Sequence, residues 1–247
     1  MIKGAAGAVG AAIKLIDRKT MYVSAVIVAA GSSTRMNGVD KLFAPLKNEP
    51  LLVAALRAFQ DSKTIREIVL VMREDALEQG KSLCQMHGFD KVTAVVAGGK
   101  TRAESSGAGL ASVSKRTNVV AIHDGDRPFV DQDLIYRTVS AAARWGAATA
   151  AIPVTSTVKR GSDGAVTETV PREGLYEIQT PQAFQFQLLK AARKKALSGT
   201  AEATDDCMMV EAMGVRPVLV DGSRFNLKIT VPEDLILAEA IADIWRR

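Results

Sequence analysis

Hydrophobic and polar positions alternate along this chain in two periods, and the switches between them mark out its elements. Short apolar runs at residues 23–30, 68–72, 92–96, 118–123 and 147–152 are too uniformly apolar to be one-sided, which predicts strands covered on both faces. Between them, residues 51–60, 75–87, 102–113 and 131–145 carry apolar positions at helical spacing. Leu77, Leu83 and Met86 supply the core face of the second helix, and Asp131 is placed to cap the fourth. This alternation predicts an α/β fold, a Rossmann-like, mostly parallel sheet with helices on both faces. The regularity breaks after Pro153. Residues 155–159 and 165–170 read as short strands around Gly161-Ser162-Asp163-Gly164, a hairpin turn, and their charged and hydroxyl side chains leave little to bury. We expect this arm, residues 153–174, to project from the sheet. A lone hairpin is marginal in water, so its expected support is a second subunit in a homodimer. Farther on, helices are predicted at 188–197 and 205–213 and strands at 217–220 and 226–229. Pro232-Glu233-Asp234 opens a last amphipathic helix that runs to Trp245.

Composition narrows the picture. The 247 residues suffice for one large α/β domain, expected over residues 21–247, and residues 1–20 read as an Ala/Gly-rich N-terminal extension outside it. No apolar run approaches a membrane-spanning length. The formal net charge of +5 suits a small anionic substrate. Nucleic acid is a poor partner, because only 5% of residues are aromatic and no run of lysines and arginines is dense enough to follow a backbone. The two cysteines, Cys84 and Cys207, lack metal-ligand spacing, which points to a reducing, cytoplasmic setting.

Four clusters carry candidate chemistry. The first strand ends in Ala29-Ala30-Gly31 and three hydroxyl residues, followed by Arg35 and Lys41. A strand opening into small residues can gather backbone N–H groups around a phosphate, with the two cations binding the remaining charge. The same residues would also make an ordinary turn with solvated cations. In the second cluster, Gly98-Gly99-Lys100 precedes a helix that carries Ser105 one turn in. Its glycines would expose backbone amides and carbonyls to a nucleobase, but neither the P-loop nor the dinucleotide-binding glycine spacing is present. The third, His123-Asp124-Gly125-Asp126-Arg127, offers Asp124 as a carboxylate ligand for Mg²⁺ and Arg127 as a phosphate clamp, or else forms a strand-end Asx turn. His123 has no partner histidine or cysteine nearby and reads as structural. In the fourth, Lys228 alternates with Leu227 and Ile229, so it faces either solvent or the active rim.

Taken in order, these clusters with Thr180-Pro181-Gln182, Thr204-Asp205-Asp206 and Asn226–Thr230 ahead of Pro232-Glu233-Asp234 resemble the 2-C-methyl-D-erythritol 4-phosphate cytidylyltransferase family over residues 22 to 245. That resemblance implies a fold of the nucleotide-diphospho-sugar transferase type. It also implies a Mg²⁺-dependent transfer of CMP from CTP to a polyol phosphate, for isoprenoid precursor synthesis. Arg35, Lys41 and Lys228 would be catalytic. Ala29, Ala30, Gly31, Gly99, Lys100 and Ser105 would bind the nucleotide, and Asp124 would hold the metal. Asp124, Arg127, Thr157, Arg172, Thr180 and Thr204 would bind the polyol phosphate, with Thr157 and Arg172 reaching it from the arm of the partner subunit. The chain departs from the family pattern at Asp126, where small residues are usual. It also lacks the second glycine of the first loop and the proline often found before Lys41. Two alternatives stand beside this one: ribitol-5-phosphate cytidylyltransferase activity, and a non-catalytic nucleotide-binding module.

Overall fold

The computed structural model describes residues 20–32, 36, 40–196 and 205–245. The expected extension, up to residue 19, and the candidate residues Arg35 and Thr204 lie outside them. Seven strands form the central sheet: β1 (Val23–Ala29), β4 (Glu67–Met72), β5 (Val92–Ala97), β6 (Val119–Asp124), β7 (Ala147–Pro153), β10 (Tyr176–Gln185) and β11 (Val218–Asp221). Two two-residue strands, β2 (Pro45–Leu46) and β3 (Glu49–Pro50), pair separately beside the first helix. The sheet order is β11-β7-β10-β6-β1-β4-β5, and every pairing is parallel except those made by β10.

Four of the apolar runs, β1, β4, β6 and β7, are buried on both faces as their composition demands, whereas β5, also expected to be covered, is an edge strand and only half-buried. Ala25, Ile27, Ile68 and Leu70 point into one core, with α1 (Leu51–Gln60), α2 (Leu77–Met86) and α4 (Gln132–Trp145) packed over it. Val26, Val69, Val71 and Ile122 point into the other, covered by α3 (Arg102–Ser112), α5 (Phe186–Ala196) and α6 (Asp206–Glu211). Successive residues of one strand therefore feed opposite cores. Asp131 caps α4, accepting a 2.6 Å bond from the Leu134 amide. Among the described residues no helix is long and apolar enough to cross a membrane.

Met86, expected on the core face of α2, is exposed, its place at the helix end carrying it past the core, and three larger features also depart from the pattern read in the sequence. The ten-residue strand β10 was not expected, because its alternation of Gln, Thr and Pro hides it. Pro181 is tolerated because the β10–β7 register shifts between Ile178 and Gln182, so its missing N–H is not required by the ladder. Residues 226–229, expected as a strand, form no ladder. Their alternation has another cause: Ile229 is buried in a third cluster under α7 (Pro232–Trp245), which leaves Lys228 on the other side, over the sheet's carboxyl rim. The arm is a separate two-stranded sheet of β8 (Val158–Ser162) and β9 (Ala165–Val170), exposed along its length, and its first strand starts later than expected. Asp163 and Gly164 turn it with φ of 51° and 78°, the left-handed pair that a two-residue hairpin loop demands.

Candidate active site

The carboxyl ends of β1, β5 and β6 meet the segment bearing Lys228 around a cavity of about 540 Å³. In open α/β sheets this rim is where ligands sit. Lys41, Arg102, Asp124, Asp126 and Lys228 line it, together with Gly31, Gly99, Lys100 and Ser105.

Asp124, the last residue of β6, is the electrostatic centre. Its Oδ1 accepts a 3.1 Å bond from Arg102 Nε and its Oδ2 a 2.9 Å bond from Lys228 Nζ, while Arg127 Nε lies 3.7 Å from Oδ2. Burial alone would raise this carboxyl, but Arg102, Lys228 and Arg127 outweigh it and hold Asp124 far below the ordinary carboxylate range. Burial also works against the charge of Arg102, yet Asp124 and Asp206 together raise its pKa above the ordinary value. Arg102 thus bridges two acids, with Nη1 donating to Asp206 Oδ2 at 2.7 Å. The wholly buried Asp206 is satisfied in turn by the Ser106 hydroxyl at 2.7 Å. For Arg127, burial dominates and lowers the pKa.

Behind Asp124 runs a directed chain of hydrogen bonds. The Asp124 amide donates to Thr180 Oγ1 at 3.1 Å, and Thr180 Oγ1 lies 3.0 Å from His123 Nδ1. His123 Nε2 lies 3.0 Å from the Arg127 carbonyl, which can only accept. Nε2 therefore carries the proton and Nδ1 accepts from the threonine hydroxyl. Burial pushes the His123 pKa down to about 4, so the ring stays neutral in its structural role. Its folded pKa lies below the ordinary 6.5, so the folded state binds fewer protons and stability falls as pH drops from 6.5 towards 4. The expected loss is about 3 kcal/mol, levelling off below that window. The depressed Asp124 carboxyl adds a second loss only below its ordinary 3.8. Thermal midpoints recorded between pH 7 and 4.5 should decline in the wild type and flatten in His123→Gln. A flat wild-type profile contradicts this assignment.

Lys41 reaches the rim from the loop before α1 and is held on both sides. Its Nζ donates to Asp126 Oδ2 at 2.5 Å and to the Ile229 carbonyl at 2.7 Å. The unusual Asp126 therefore partly neutralises the cation expected to face a phosphate. Removing it with Asp126→Ala should tighten CTP binding several-fold at low salt, on the order of 1 kcal/mol, while lowering stability. Calorimetric titration with CTP checks this, and weaker binding in the variant would assign Asp126 to the ligand instead.

The second cluster was expected to expose amides as well as carbonyls, but its amides are engaged within the protein. Gly98 N–H bonds the Met72 carbonyl at 2.8 Å, Gly99 N–H the Ser105 hydroxyl at 3.2 Å, and Lys100 N–H the Glu104 carboxylate at 2.6 Å. Thr101 and Glu104 form a capping box on α3. With its amides committed internally, this loop offers a ligand carbonyl oxygens, which suit the amino edge of a pyrimidine. A Cβ on Gly98 would stand 2.5 Å from the Ala30 Cβ, so the close approach of the two loops requires glycine there.

The remaining candidates are placed as follows. Ala30 lines the cavity, whereas the buried Ala29 lies beneath it. Thr180 is buried behind Asp124, its hydroxyl engaged as described. Thr157 and Arg172 are exposed at the base of the arm, where Arg172 Nη1 donates to the Thr155 carbonyl. Arg127 borders a second cavity of about 360 Å³ that shares Lys228 and Thr230 with the first. Sequence reasoning gave no role to Arg102 or Asp206. A signal was available for the former, an arginine at the first position of a helix that starts directly after paired glycines.

A cation-lined cavity at the carboxyl rim of this sheet, with main-chain carbonyls at one end and no nucleophile–base pair among its described lining residues, suits a nucleotidyltransferase, whose reaction needs charge neutralisation rather than a protein nucleophile. The model of the family described as 2-C-methyl-D-erythritol 4-phosphate cytidylyltransferase matches residues 23–243, and the chain belongs to that family. The enzyme of that name from Clostridium novyi is 42% identical over 222 residues, covering 89% of this chain and 96% of its own. That from Halalkalibacterium halodurans is 42% identical over 222 residues, covering 90% and 97%. The crystal structure of the Thermus thermophilus enzyme superposes with a TM-score of 0.77 at 36% identity, covering 90% of this chain and 100% of that one. The 4-diphosphocytidyl-2C-methyl-D-erythritol synthase of Anaerococcus prevotii superposes with a TM-score of 0.81 at 31% identity, covering 92% and 98%.

Proposed function

We propose that this chain transfers CMP from CTP to 2-C-methyl-D-erythritol 4-phosphate, releasing pyrophosphate and forming 4-diphosphocytidyl-2-C-methyl-D-erythritol. The observation that carries the reading is the convergence of Lys41, Arg102 and Lys228, far apart in sequence, on one cavity centred on Asp124. An oxygen of the acceptor phosphate attacks the α-phosphorus, and the bond from that phosphorus to the departing pyrophosphate breaks. Such a transfer needs positioning and charge neutralisation rather than a protein nucleophile. Lys228 is the most exposed of the three cations on Asp124, at 35% of its side chain, so it is the one free to leave the carboxylate for a phosphate. Lys41, held beside the same segment through the Ile229 carbonyl, neutralises further charge, Arg35 adds another cation by resemblance to the family, and Gly99, Lys100 and Ser105 face the base and ribose.

Among the described residues no three His, Cys, Asp or Glu side chains gather into a metal cage. Mg²⁺ normally needs only one or two carboxylates when substrate phosphates complete its shell, and Asp124, a hard oxygen donor on the cavity wall, fits that role. The ion would supply further neutralisation of the triphosphate. The arm, exposed on both faces, supports a homodimer in which Thr157 and Arg172 serve the partner's site. The free, buried Cys84 and Cys207 accord with a reducing cytoplasm. Retention of Lys41 and Lys228 in the cavity favours an enzyme over a silent nucleotide-binding module. Pyrophosphate release with CTP and Mg²⁺ tests the reading. Turnover with 2-C-methyl-D-erythritol 4-phosphate and none with ribitol 5-phosphate is expected, and the reverse, or turnover with neither, contradicts it.

A further inference from the structure

The cavity beside the nucleotide site contains a cation to which nothing above gives a role. Arg127, Arg224 and Lys228 line its 360 Å³, and Glu177 is the one carboxylate among its lining residues. Two of the three cations are already committed. Lys228 pairs with Asp124, and Arg127 donates from Nη1 to the Asn226 carbonyl at 2.8 Å and from Nη2 to the Ile178 carbonyl at 3.5 Å. Arg224 differs. Its Nη2 donates to the Thr155 hydroxyl at 3.0 Å, a neutral partner, and among the described residues it makes no ion pair.

The backbone that presents Arg224 is locked in place. Gln179 Nε2 donates to the Ser223 carbonyl at 2.8 Å, and its Oε1 accepts from the Ser223 amide at 3.3 Å. The Gly222 amide bonds the Ala151 carbonyl at 2.8 Å, and a Cβ on Gly222 would lie 2.4 Å from Gln179 Oε1. The loop is thus fixed to β7 and β10 immediately before Arg224, which stands four residues before Lys228. An exposed guanidinium with no carboxylate partner among the described residues, carried on a fixed loop at the wall of a cation-lined cavity, suits a phosphate monoester, whose oxygens it can take in bidentate fashion.

We propose that Arg224 is a further binding residue for the acceptor, gripping the phosphate of the polyol phosphate before Lys228 engages it in the reaction. This assignment rests on the function proposed above and names a specificity contact within that site. It predicts a split between the two substrates. Replacing a charged donor to a phosphate in the full-length protein, as Arg224→Gln, should raise KM for 2-C-methyl-D-erythritol 4-phosphate about tenfold to a hundredfold. KM for CTP and kcat at saturation should stay within about twofold. Thr155→Val removes the hydroxyl that Arg224 holds while keeping the charge, and should leave the acceptor KM near the wild-type value.

Steady-state kinetics of the three proteins with CTP and Mg²⁺ decide the matter. An unchanged acceptor KM in Arg224→Gln overturns the proposal. So does a Thr155→Val variant that reproduces the Arg224→Gln defect, which would make Arg224 a brace for the base of the arm. A wild-type protein that turns over no polyol phosphate contradicts the proposed function itself and removes this contact with it.

Discussion

Lys228→Ala should lose two to three orders of magnitude in turnover while melting close to the wild type. The first half follows from charge: a donor aimed at developing negative charge is worth on the order of 3 kcal/mol or more in the transition state. The second follows from redundancy around Asp124. Without Lys228 that carboxylate keeps Arg102 at 3.1 Å and Arg127 at 3.7 Å, so no buried charge is stranded. Lys228 is also partly exposed, at 35% of its side chain, so its ion pair with Asp124 contributes little to stability. Pyrophosphate-release assays alongside thermal melts check both halves. Near-normal turnover would remove Lys228 from the reaction, and a collapse in melting temperature would make it a structural residue.

Lys41→Ala should behave differently, losing activity and stability together. Its side chain is 10% exposed, and it is the ion-pair partner of Asp126, whose Oδ1 is buried without a hydrogen-bond partner. Truncation therefore leaves a buried carboxylate uncompensated, which typically costs about 3–5 kcal/mol. For a domain of this size that is a fall of roughly 10 °C or more in melting temperature. Adding Asp126→Ala removes the stranded charge, so the double variant should regain most of the stability and none of the turnover. Melting curves and turnover of the two single variants and the double variant separate the roles. An unshifted midpoint in Lys41→Ala contradicts the structural part, and recovered turnover in the double variant contradicts the catalytic one.

These two lysines show what the sequence could reveal and what it could not. A buried parallel sheet leaves its loops at one rim, which made Asp124, at the end of an apolar run, a candidate. Lys41 and Lys228 were open between rim and solvent until the ordered motifs pointed to the family. The partnerships were not legible. Asp126 follows Lys41 by 85 positions, and only the folded chain shows that one cancels part of the charge of the other. Arg102 and Asp206, 104 residues apart, form a bridge that no local pattern announces. Among the elements, the strands made of Val, Ile and Ala were plain from composition, whereas β10 hid behind glutamines and a proline. Residues 226–229 alternate like a strand for a reason unrelated to pairing, since Ile229 packs under α7 while Lys228 turns to the rim. The glycines at 98 and 99 were read as exposing their backbone to a nucleobase, but the close approach of Gly98 to Ala30 and the commitment of the two amides to Met72 and Ser105 depend on neighbours that sequence spacing does not locate.

The central claim is that cations distant along the chain meet to hold one triphosphate. A crystal structure of the protein with Mg²⁺ and a non-hydrolysable CTP analogue tests it most directly. The account predicts the cytosine against Gly98 and Gly99 and the phosphates in the 540 Å³ cavity, with the α-phosphate within hydrogen-bonding reach of Lys41 and Lys228. Phosphates bound elsewhere, with either lysine still turned away from them, would contradict it.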